Sequence, residues 1–164
     1  MPEILSFSRN ICTVVEQIRD DLMTSSCRLQ DTLMDAYVKI SVKIPDLEIN
    51  GIEGKLERSF SGEKIDVEEA FNKIMGTRVG PGIRKIIRGF IGNSATEKQL
   101  AFMVEECCSG LILSFTKDQM KKIPKDPEKA RHFFENLVRE NPRLYKGCAA
   151  LSPGSPLVDN IKFD

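Results

Sequence analysis

The sequence predicts an α+β fold, with an antiparallel meander sheet from the N-terminal half packed against about four helices from the C-terminal half. Three observations carry this. Residues 36–44 alternate apolar and polar side chains, residues 62–142 repeat apolar positions at three- and four-residue spacing, and the strand-like runs all precede the helical ones. Segregated elements argue against an interleaved α/β sheet. The 164 residues read as a single domain, mainly strands over 1–61, mainly helices over 62–142, and an irregular tail over 143–164.

In the first half, Cys12, Val14 and Ile18 alternate with Thr13, Val15 and Gln17, and Arg19-Asp20-Asp21 reads as the following turn. Cys27 and Leu29 begin a second extended run. The clearest strand is Ala36 to Ile44, where Val38, Ile40, Val42 and Ile44 alternate with Lys39, Ser41 and Lys43. Successive strand side chains point to opposite faces, so this pattern buries one face only. Asn50-Gly51 follows, and because Asn-Gly tolerates positive φ at both positions it predicts a tight hairpin before Ile52, Leu56 and Phe60. Four or five strands are expected.

In the second half, Asp66 suits a helix N-cap with Glu69 three residues on. Val67, Ala70, Phe71, Ile74 and Met75 form its apolar stripe, and Gly76 its stop. Ile83, Ile86, Ile87 and Phe90 mark a second, short helix. The third and longest begins at Ser94 or Thr96, with Glu97 or Gln99 to complete a capping box, and runs through Leu100, Val104, Cys107, Cys108, Leu111, Ile112 and Phe115. Asp126-Pro127 opens the fourth, with Ala130, Phe133, Phe134, Leu137 and Val138 facing inward until Asn141-Pro142. Beyond it, Val158 to Phe163 reads as an edge strand or a surface drape.

Strands bearing Asp31 and Asp35, the helix after Asp66, the segment Val79-Gly80-Pro81-Gly82-Ile83, the long helix entered through Thr96 and Leu100, and the tail from Pro142 to Leu151 follow one another in an order. That order resembles an uncharacterised bacterial family, the domain of unknown function 2889 family. The resemblance spans nearly the whole chain and implies the fold. That family carries no established activity to transfer. Its members often enter the long helix through a Cys-Thr-His-Leu-like motif, whereas this chain reads Ala95-Thr96-Glu97-Lys98-Gln99-Leu100. The thiol and imidazole on which a metal or thiol role there would rest are replaced.

Composition narrows the function classes. Lys and Arg number 24 against 24 Asp and Glu, so a histone-like or ribosomal excess of positive charge is lacking. No run reaches the ~18 apolar residues of a membrane span, and Met1-Pro2-Glu3-Ile4 lacks the basic, then apolar, start of a signal peptide. A cytoplasmic location is therefore expected. Five scattered cysteines and a single histidine, His132, fit neither a disulfide framework nor a zinc site, and no cofactor is implied. Charge is uneven, however. Residues 1–61 hold 7 basic and 10 acidic side chains, and residues 62–125 hold 11 and 8.

The basic excess concentrates where acids are missing. Residues 70–96 contain Lys73, Arg78, Arg84, Lys85 and Arg88 and no carboxylate. Within that segment Arg78, Gly80, Gly82, Arg84 and Lys85 form a candidate anion site, since glycines admit a ligand to the backbone and guanidinium groups chelate phosphate or carboxylate. The ordinary alternative is a Gly-Pro turn followed by the solvated face of a helix. Asp31 and Asp35 suit either a carboxylate pair or a turn. Cys107 and Cys108, in mid-helix behind Glu105 and Glu106, read as buried structural thiols, and Cys148 lies in the tail. His132 beside Phe133 reads as a boundary residue. Lys117, Lys121, Lys122 and Lys125 complement the long helix's dipole, and Phe90 and Phe115 fall on apolar stripes, which disfavours nucleic-acid binding.

These features lead to a soluble binding or assembly module for a small anionic ligand or a protein partner, with a homodimer among its forms. The alternatives are an enzyme using the carboxylates Asp31 and Asp35 or the thiol of Cys148, and a structural subunit of a larger complex.

Overall fold

Period-two alternation in the first half becomes a four-stranded antiparallel sheet in the computed structural model, which describes residues 6–62, 64–90, 92, 94–140, 142–146 and 149–161. The strands β1 (Arg9–Arg19), β2 (Leu22–Asp31), β3 (Asp35–Lys43) and β4 (Glu48–Arg58) lie in chain order. Asp20 and Asp21 form the first turn. On the inner face, Val38 and Ile40 of β3 are flanked by Cys27 and Leu29 of β2 and by Ile49 and Ile52 of β4, all buried. The outer face is polar over much of β3 and β4, with Lys39 of β3 3.7 Å from Glu53 of β4, and carries the exposed Tyr37 of β3.

Two details depart from the sequence reading. The hairpin between β3 and β4 turns at Ile44–Leu47, with a cis Ile44-Pro45 bond and Leu47 at φ 54°, and not at Asn50-Gly51. Asn50 and Gly51 lie inside β4, neither at positive φ, where Ser41 pairs with Gly51 and Val42 with Ile49. Asn50 is thus the extra residue of a β-bulge, which keeps Ile49 and Ile52 on the same inner face. On β1 the side chains that turn inward are Thr13 and Val15. Cys12, Val14 and Ile18 are exposed.

The helices follow their caps. Asp66 accepts a hydrogen bond from Glu69 N at 3.1 Å and opens α1 (Val67–Phe71), which tightens into a 3₁₀ turn over Asn72–Ile74. Val67, Phe71 and Ile74 are buried, whereas Met75, expected in the same stripe, is exposed. Helix α2 (Ile83–Phe90) buries only Ile83 and Ile87, so its apolar face is narrower than Ile86 and Phe90 suggested. Helix α3 (Ala95–Met120) opens on a reciprocal capping box, Glu97 N to Ser94 Oγ and Ser94 N to Glu97 Oε2, both 3.1 Å.

Glycine positions these helices on the sheet. A Cβ at Gly54 of β4 would overlap Val67 Cγ1 and lie 3.0 Å from the Tyr37 carbonyl oxygen, so α1 seats on β4 only where that atom is missing. A Cβ at Gly110 of α3 would stand 3.1 Å from methyls of Thr13 and Val15, which shows how closely α3 approaches β1.

The chain divides into two compact units, Met1–Ser114 and Phe115–Asp164, with the division falling inside α3. The first contains the sheet, α1, α2 and a core from Met23 to Leu111. The second contains α4 (Pro127–Glu140), capped by Asp126 accepting from Lys129 N at 3.0 Å, and 3₁₀ turns over Pro142–Leu144 and Ala149–Leu151. Val138 packs there with Val158 and Ile161 in a cluster of its own, and Phe133 meets Phe134 edge to face at 5.6 Å. Residues 158–161 form turns, and Phe163 lies outside the described residues. Among the described residues no helix is long and apolar enough to cross a membrane.

Candidate functional site

The segment entering α2 is fixed by main-chain bonds to the start of β4. Ile49 N donates to Thr77 O at 2.8 Å, Gly76 N to Ile49 O at 2.8 Å and Val79 N to Leu47 O at 2.9 Å. This short extension carries Arg78 back beside the β3–β4 turn, 3.7 Å from Asp46. The chain then turns through Gly80-Pro81-Gly82, with Gly82 at φ 89°, and Gly82 O accepts from Lys85 N and Ile86 N as α2 begins. A Cβ added at Gly80 or Gly82 would meet nothing within 4 Å, so the turn faces open space.

With Ile83 and Ile87 turned to the core, α2 exposes Arg84, Lys85 and Arg88. Arg88 grips Glu105 of α3 with both arms of its fork, Nε to Oε1 at 2.7 Å and a terminal nitrogen to Oε2 at 2.9 Å. Arg84 approaches the same carboxylate at 3.8 Å and donates to Ser109 Oγ at 3.4 Å. Glu105 is only 5% exposed, so a charge withdrawn from water is met by two guanidinium groups. The hydrogen bonds and charge of Glu105 in turn raise the Arg88 pKa above its ordinary value. The acids missing from residues 70–96 are therefore supplied by Asp46 and Glu105 from elsewhere in the chain. Arg84 and Arg88 come together around Glu105, Arg78 engages Asp46 instead, and Lys85 has no ion-pair partner among the described residues.

Asp31 and Asp35 take separate partners. Asp31 closes the β2–β3 turn, accepting from Leu33 N at 2.7 Å, Met34 N at 2.6 Å and Arg9 Nε at 2.9 Å. Burial opposes its charge, but those bonds outweigh it and hold the carboxyl below its ordinary range. Asp35 receives Arg28 at 3.5 Å and Gln30 at 3.3 Å. Burial pushes the thiols of Cys27, Cys107 and Cys108 up, that of Cys108 to about 12 with the Glu105 charge adding to it. Cys107 points its sulfur at Val38 O, 3.8 Å away. Cys148 lies outside the described residues. In the second unit His132 is exposed, 3.6 Å from a buried Glu135 that also receives Asn160 at 3.3 Å and lies 3.9 Å from Arg131. Lys117 lies in the last turn of α3, and Lys121, Lys122 and Lys125 follow it, all exposed. Among the described residues no three His, Cys, Asp or Glu side chains stand together in the arrangement of a metal site.

No family model, curated protein or solved structure is significantly similar to this chain.

Two features lay outside the sequence reading. An open cleft of about 480 Å³ lies along the end of β4 and the loop after it, lined by Leu56, Arg58, Lys64 and Ile65 among others. The second is β1 itself, paired with β2 on one side and with no other described strand. Ile11, Val14 and Ile18 are 38%, 46% and 53% exposed. Apolar residues on both parities of β1 were the available signal, since a strand with one buried face needs only one.

Proposed function

We propose that the chain is a binding and assembly module whose working surface is the open edge of β1. The observation that carries this is the edge itself: eleven residues, Arg9–Arg19, with one partner strand among the described residues and exposed apolar side chains. Edges that avoid partners are blunted by Lys, Pro or bulges. Residues 9–17 hold neither Lys nor Pro, their two charges, Arg9 and Glu16, stand near the ends, and the bulge of β1 falls only beyond Gln17. The main chain of an added strand supplies affinity, and Ile11 and Val14 supply side-chain contacts.

A synthetic peptide of residues 9–17 tests the edge directly. It is expected to bind the full chain saturably, and Ile11→Pro in the protein, which deletes one outward amide, weakens binding by roughly tenfold. Absence of saturable binding overturns the reading.

A small anionic ligand is a second reading, favoured by the cleft where Arg58 and Lys64, with the single carboxylate of Glu57, stand beside the apolar Leu56 and Ile65. Calorimetric titration with inorganic phosphate and butyrate separates that cleft from the α2 face. Loss of heat in Lys64→Ala assigns the anion to the cleft, and loss in Lys85→Ala assigns it to α2.

A further inference from the structure

We infer that the strand added to β1 is β1 of a second copy, antiparallel about Thr13, which would join two sheets into one of eight strands. This rests on the edge reading above and specifies its partner.

Main-chain parity comes first. Thr32 N donates to Ser8 O at 3.1 Å, and Asp31 N donates to Met34 O at 2.8 Å. Even-numbered residues of β2 therefore face β1, and in the unbroken register from Arg9 to Gln17 the even-numbered residues of β1 face β2. The amides and carbonyls of Arg9, Ile11, Thr13 and Val15 point to the open edge. A two-fold axis perpendicular to the sheet pairs odd residues with odd ones, so the inner faces of both copies stay on one side.

Side chains then select the register. Centred on Thr13, Ile11 stands opposite Val15 of the second copy, Cys12 opposite Val14, and Asn10 opposite Glu16, and each match occurs twice by symmetry. Centred one residue earlier, Arg9 faces Val15 and Asn10 faces Val14. Centred one residue later, Ile11 faces Gln17 and Cys12 faces Glu16. Only the Thr13 centre matches apolar with apolar along both faces. It also uses all nine residues ahead of the bulge.

Cys12 provides the test, because it is exposed and free. Even-numbered residues form the pairs without mutual hydrogen bonds, whose Cα atoms stand about 4.5 Å apart, within the ~4.4–6.8 Å a disulfide spans. Under mild oxidation the full-length Val14→Cys protein is expected to become a covalent dimer linked between positions 12 and 14, identified by peptide mass spectrometry. The double variant Cys12→Ser/Val14→Cys loses that link. A 12–12 link in the unaltered protein, or a 14–14 link in the double variant, overturns the register and with it the proposal. No link through β1 in Val14→Cys, while the 9–17 peptide still binds, removes the second copy and leaves the edge reading standing. If the peptide fails as well, both fall.

Discussion

Asp31 shows how much a single side chain in this chain is asked to do. Its carboxylate serves two turn amides and Arg9, and its carbonyl receives Arg58 at 2.6 Å. Asp31→Ala would leave the Leu33 amide and the buried Met34 amide without their acceptor, a loss of about 2 kcal/mol. Because the folded-state pKa is depressed, this contribution is present in full above the ordinary Asp value of 3.8 and fades as pH falls through the lower folded value. Denaturant unfolding of wild type and Asp31→Asn should therefore differ by a constant amount at neutral pH and converge in strong acid. A gap that widens on acidification would contradict the assignment. Sequence admits Asp31 as one of a carboxylate pair but favours it as a turn residue. The short amide contacts are what decide for the turn.

At the scale of elements, caps follow local chemistry and packing follows absent atoms. Asp66, Ser94 and Asp126 each bond the amide three residues on, as their types and spacing require. The seat of α1 on β4 depends on Gly54. Gly54→Ala should cost about 1–3 kcal/mol through overpacking. In a Val67→Ala background, which removes the colliding methyl, the same substitution should cost clearly less. Equal costs in the two backgrounds, read from urea midpoints, would place the strain elsewhere. Asn50-Gly51 shows the limit of a local signal: the dipeptide permits a hairpin, but the bulge that keeps Ile49 and Ile52 inward claims it instead.

At the scale of the molecule, the two compact units have separate apolar clusters, one from Met23 to Leu111 and one around Val138. Leu100→Ala, at a fully buried position, should cost about 2–5 kcal/mol and speed amide exchange throughout β2 and β3. Val138→Ala should cost about 2 kcal/mol and speed exchange in α4 and residues 149–161, with β2 and β3 nearly unchanged. Equal acceleration in both regions after either substitution would show one cooperative core. Charge follows the same division of scales, since the acid-free stretch around α2 is basic only along the chain. In space Arg88 and Arg84 share Glu105, and Arg78 meets Asp46.

By itself, the sequence determined the elements and their order. Alternation from Ala36 to Ile44, capping residues at Asp66, Ser94 or Thr96, and Asp126, and strands ahead of helices are local or near-local signals, and an antiparallel meander of four or five strands followed by helices is what they specify. Tertiary structure alone decided which residues meet. Whether Arg88 is free or bound depends on Glu105, seventeen residues away on another helix. Whether Val14 faces a core or solvent depends on which parity of β1 lies under α3 at Gly110, and Ile11, of the inward parity, is still exposed. Contacts of that kind are set by how helices seat on a sheet, and period and composition do not encode that seating.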